Sequence, residues 1–88
     1  MNILIEYCTQ WNYEPRALRL GELLKNKFGI NVTLLESSGG VFEVFLQKEP
    51  AGKDAPSQKI SIFSKKELNR FPNEGEVEEL LEGWEEVK

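Results

Sequence analysis

The sequence predicts an α/β fold: a four-stranded mixed sheet with two helices packed on one face, the elements running βαβββα. Three observations carry this expectation. Short apolar runs alternate with period two at four places, helical periodicity marks two others, and residues 2–35 read as one strand–helix–strand unit.

Ile3, Ile5 and Tyr7 alternate with Asn2, Leu4 and Glu6. Leu4 makes this run apolar on both faces, which suits a central strand. Pro15 then stands in the first turn of a helix, where its missing N–H is not needed. At helical periodicity Ala17, Leu20, Gly21, Leu24 and Phe28 share one face, with Leu18 and Leu23 on its flanks. Gly29 follows as the closing residue. Ile30, Val32 and Leu34 alternate with Asn31 and Thr33 in a second strand, parallel to the first because the connection is a right-handed crossover.

Ser37-Ser38-Gly39-Gly40 is too short to traverse the sheet, so the third strand, Val41–Leu46, runs back beside the first. A fourth strand, Lys59–Phe63, pairs with the third, giving the order 2-1-3-4. The connection over 47–58 is unusually long for a hairpin. Asn73 and Glu76 have capping-box spacing, and Val77, Leu80, Leu81 and Trp84 form the buried stripe of a final helix. Its other face, with Glu78, Glu79, Glu82, Glu85 and Glu86, is expected to be solvated.

Eighty-eight residues support a single domain, 1–88. The lone cysteine excludes an intrachain disulfide, and with no histidine there is no metal-site spacing. No long apolar run predicts a membrane span or a secretory leader, so a cytoplasmic protein is expected. Residues 1–72 carry ten Lys/Arg and eight acids, whereas 73–88 carry seven Glu and Lys88. An acidic chain without a basic stripe is not a nucleic-acid binder.

Topology places a candidate site. The first and second strands end at one edge, where the loops Thr9–Tyr13, Ser37–Gly40 and Ser64–Arg70 meet around Cys8. Ligands of open α/β sheets bind at such carboxyl ends. The 47–58 loop lies at the opposite edge. Polar neighbours predict an exposed Cys8 thiol, and Lys65, Lys66 and Arg70 are the cations available to favour its thiolate. A helix beginning at Pro15 leaves Cys8 beyond the reach of its dipole, whereas one beginning near Gln10 brings the two together.

The strings Ile5-Glu6-Tyr7-Cys8, Tyr13-x-Pro15-Arg16-Ala17, Gly39-Gly40-Val41-Phe42-Glu43-Val44 and Ile62-Phe63-Ser64-Lys65-Lys66, leading to Arg70-Phe71-Pro72, occur in order along nearly the whole chain. In these the sequence resembles the selenoprotein W-like proteins of the Rdx family. These are thioredoxin-like proteins named for a Cys-x-x-Cys or Cys-x-x-selenocysteine motif after the first strand. The resemblance implies a thioredoxin-like fold and a cytosolic thiol oxidoreductase that meets glutathione or redox-sensitive partner proteins. Two departures stand out: Trp11 occupies the place of the second Cys or selenocysteine, and the segment Gln47–Gln58 exceeds the family's short turn.

The redox role therefore carries over to Cys8 alone, as a monothiol forming mixed disulfides with glutathione or a partner protein. No cofactor is expected beyond glutathione as a thiol substrate. Thr9, Gln10, Trp11, Ser38, Gly39, Gly40, Ser64 and Lys65 are the candidate substrate or partner-binding residues. The bare backbone of Gly39 and Gly40 either pairs with a bound peptide or glutathione or simply makes a tight crossing over the first strand. Trp11 either packs over the sheet edge beside Tyr13 or offers a partner an apolar platform. The rival reading is a non-catalytic interaction module that binds through Trp11, Phe71 or the long loop.

Overall fold

In the computed structural model, which describes residues 2–48, 58–73 and 75–83, β1 (Asn2–Cys8) lies at the centre of the sheet. It is followed by α1 (Glu14–Phe28), β2 (Asn31–Ser37), β3 (Phe42–Lys48) and β4 (Gln58–Ser64). Two further helices, α2 (Lys65–Leu68) and α3 (Glu76–Glu82), complete the described chain. The strand order is β2-β1-β3-β4, with β1 parallel to β2, antiparallel to β3, and β3 antiparallel to β4. This is the predicted thioredoxin-like arrangement, with one short helix added.

Period-two alternation builds the core. Ile3, Ile5 and Tyr7 of β1, Phe42, Val44 and Leu46 of β3 and Phe63 of β4 turn to one face of the sheet. Ala17, Leu20 and Leu24 of α1 and Val77 and Leu81 of α3 pack on that same face. Each large side chain removed from water there contributes roughly 1.5–3 kcal/mol. Gly21 belongs to this contact: a Cβ on it would stand 3.3 Å from Val32 Cγ1 and 3.7 Å from Leu34 Cδ2, so the bare backbone sets the close approach of α1 to β2. The other face carries polar links, among them Asn2 Nδ2 donating to Thr33 Oγ1 at 3.1 Å, and Lys59 stands over the Phe45 ring at 4.1 Å.

Several local expectations change. α1 begins at Glu14 with Tyr13 as its cap, so of the two starts considered the later one holds. α3 begins at Glu76, and Leu80 is 42% exposed rather than part of the buried stripe. In a helix this short, the i,i+4 pair Val77 and Leu81 alone faces the sheet. Glu76 does reach back to the Asn73 N–H, at 2.8 Å, but from the first helical position instead of the third. Trp84, Glu85, Glu86 and residues 49–57 of the long loop lie outside the described residues.

Candidate functional site around Cys8

Cys8 is the last residue of β1. Its N–H donates to Val41 O at 2.9 Å, its carbonyl accepts the Tyr13 N–H at 3.3 Å, and next to it the Thr9 N–H donates to Ser37 O at 3.2 Å. These bonds draw the three chain segments 8–13, 37 and 41 into one corner. Cys8 shares the strand parity of Leu4 and Glu6 and lies outside the helix-side cluster.

The expected exposure of the thiol is not observed: Cys8 is fully buried. The residues that follow it, Thr9 to Asn12, are exposed, but the backbone of Gln10 and Trp11 on one side and of Gly40 on the other closes on the sulfur. Gly40 and Gly39 both have positive φ, 73° and 78°. A Cβ on Gly40 would clash with the Trp11 ring, so the indole lies directly against this glycine. Here the glycine is required twice over, for its backbone angle and for the contact.

The electrostatics around the sulfur oppose one another. Burial pushes the thiol's pKa up; the backbone N–H groups of Gly40, Trp11 and Gln10 and then the Lys65 ammonium pull it down, and the net shift is downward. A buried thiol met by several N–H donors is poised toward the thiolate without any contribution from a helix dipole. Of the three cations expected to act on it, Lys65 does so. Arg70 instead makes a bidentate pair with Glu76, at 2.6 and 2.7 Å. That pair and the Asn73 N–H hold the Glu76 carboxyl down at about 2.

A cavity of about 320 Å³ lies against the cover of the thiol, lined in part by Trp11, Gly39, Gly40, Lys65, Lys66 and Asn69 but not by Cys8 itself. Of the candidate binding residues, Trp11, Gly39, Gly40 and Lys65 line it, and Gln10 reaches the sulfur through its backbone. Thr9 instead pins its loop to β2, its hydroxyl 3.4 Å from Ser37 O. Ser38 is exposed on the turn. Ser64 is buried, its hydroxyl donating to Glu43 Oε1 at 2.6 Å and accepting the Glu67 N–H at 3.2 Å. It caps α2 and thereby positions Lys65.

Lys66, expected here only as a nearby cation, and Asn69, expected only as part of the Ser64–Arg70 loop, also line the cavity. The signal that places them is the Ser64-x-x-Glu67 spacing, which predicts a helical turn whose end returns to the site. Trp11 meets Tyr13 edge-on at 6.2 Å, and Tyr13 meets Phe71 in the same manner at 4.7 Å. Trp11 is nevertheless 61% exposed, so most of the indole faces outward. Among the described residues no three His, Cys, Asp or Glu gather as metal ligands, and none of the described helices is long and apolar enough to cross a membrane.

A four-stranded layer in the order β2-β1-β3-β4 with helices on one face defines the class, a thioredoxin-like fold. More closely, the chain belongs to the Rdx family, whose model matches residues 2–83. Two solved structures are similar over most of their length. One, from Bordetella parapertussis, is 23% identical with a TM-score of 0.73, and 92% of each chain is covered. The other, a selenoprotein W-related protein from Vibrio cholerae, is 26% identical with a TM-score of 0.74, covering 92% of this chain and 91% of that one. Among curated proteins none matches the chain.

Proposed function

We propose that the protein is a cytoplasmic monothiol redox protein that acts through Cys8, forming a mixed disulfide with a partner protein or glutathione. The observation that carries this reading is the place of the one thiol, at the end of the central strand under Trp11 and Gly40, where nearby backbone N–H groups and Lys65 lower its pKa. Membership of the Rdx family and the likeness to a selenoprotein W-related protein support it. Trp11 takes the place of the family's second thiol or selenol, so no resolving group stands beside Cys8.

The chemistry is a pair of exchanges. Cys8 thiolate attacks one sulfur of a partner disulfide; the new S–S bond forms as the old one breaks, and the second partner sulfur leaves as thiolate. An external thiolate then attacks the mixed disulfide, takes over the partner's sulfur and returns Cys8 as thiolate. The N–H groups around Cys8 stabilise the anion before attack and again on release. Access requires the indole and the Gly40 turn to part.

Complete burial of Cys8 favours the second reading, an interaction module whose thiol is inert. The two separate on incubation with glutathione disulfide, followed by intact-mass measurement. A monothiol redox protein gains one glutathionyl group, lost again on adding excess thiol, and Cys8→Ser gains none. A folded wild-type chain that stays unmodified, while the same conditions modify it once denatured, establishes the inert module.

A further inference from the structure

A second and larger hollow, about 520 Å³, runs between α1 and the segment leading into α3. Its apolar lining includes Leu23, Phe42, Phe71 and Pro72, and Arg16 and Arg19 stand along it. Neither arginine pairs with a carboxylate among the described residues, in contrast to Arg70 and Lys27. Glu78 is the one acid among the described lining residues.

Phe71 joins this hollow to the thiol site. The Arg16 guanidinium lies 4.1 Å from the centre of its ring, and Lys65, which lines the cavity beside Cys8, lies 5.4 Å from the same centre. One aromatic ring therefore carries both cations, and Phe71 of the larger hollow lies against Lys65 of the smaller. Among the described lining residues of the two hollows, Lys66, Lys65, Arg16 and Arg19 stand with one acid, Glu78, in a chain whose net charge is −4. The described linings are therefore basic in an acidic chain.

We infer that the hollow beyond Phe71 is the docking groove for a protein partner of the Cys8 thiol, and that it takes an acidic segment with a bulky apolar residue. This rests on the thiol reading for the identity of the partner. Carboxylates of the segment meet Arg16 and Arg19, and its apolar residue seats against Phe71 and Pro72, while the partner's sulfur reaches the cavity beside Trp11. Glutathione fills the near cavity and leaves the groove empty, so the groove is what distinguishes a protein substrate from the tripeptide.

The test uses the full chain as Cys8→Ser, which removes covalent capture and reads docking alone. Two fluorescent peptides of equal length are titrated by polarisation. Each has a central methylthio-capped cysteine, followed by a leucine flanked by acids in one and by lysines in the other. The acidic peptide is expected to bind about tenfold more tightly at low salt, and the preference to shrink as salt shortens the screening length. Arg16→Gln with Arg19→Gln should bring the two peptides to within about twofold. Arg19→Gln alone, which disturbs no ring contact, should give a partial loss and serves if the double variant melts. Equal binding of the two peptides, or an acidic preference that survives loss of both arginines, overturns the groove. If the acidic peptide docks on Cys8→Ser but wild type forms no mixed disulfide with the uncapped cystine form, the groove stands and the thiol reading falls.

Discussion

Cys8 is the residue at which sequence neighbours and spatial neighbours part company. Thr9, Gln10 and Asn12 are exposed, yet the thiol itself is fully covered, because β1 ends under the turn formed by Gly39 and Gly40. Position and residue type were legible in the sequence; burial was not, because Val41 and Gly40 come from more than 30 residues away. Trp11 was legible as an aromatic near Tyr13, but its contact with Gly40 depends on a positive-φ glycine that only the folded turn displays. With its N–H directed at the Cys8 sulfur and most of its ring exposed, position 11 should accept a thiol. Trp11→Cys is expected to fold, with a stability loss below the roughly 3–5 kcal/mol of a fully buried Trp truncation. Under mild oxidant it should then lose both free thiols on titration. A folded variant that keeps both thiols shows that the two positions do not face each other as a dithiol motif demands.

The elements were legible in proportion to their length. α1 presents four turns of amphipathic pattern, and β1 and β3 alternate cleanly, so their faces and partners follow from periodicity alone. α2, with four residues, has no stripe to read, and its one signal is the Ser64 cap. In α3 a spacing of i, i+3, i+4 placed Leu80 inward, but with seven residues the helix docks on Val77 and Leu81 and turns Leu80 to solvent. The entry to α3 is held by Arg70, whose guanidinium grips Glu76 while Glu76 accepts the Asn73 N–H. Because the folded carboxyl sits near 2, below its ordinary 4.5, this contribution to stability is complete above about pH 4.5 and disappears as pH falls toward 2. Urea midpoints measured across that window should fall for wild type and change less for Glu76→Gln. The same acid slope in both proteins removes Glu76 as its source. Partial exposure of both partners keeps the effect modest.

At the scale of the whole molecule, one sheet supports one core, and the order β2-β1-β3-β4 follows from two facts read in sequence: a crossover helix and a turn too short to cross the sheet. β1 is hydrogen-bonded on both sides and holds the fully buried Ile3 and Ile5, so its amides should exchange most slowly, and those of the edge strand β2 much faster. Protection greater in β2 than in β1 contradicts this order. The central strand also gives the thiol its fixed base, since β1, paired on both sides, ends at Cys8. The fold covers this thiol and yet pulls its pKa down from that of a free cysteine. Iodoacetamide alkylation of the native chain, followed by mass against pH, measures that directly. The expected midpoint lies below the free-thiol value of about 8.5, with labelling slow because the indole and the Gly40 turn must part; a midpoint above that value contradicts it.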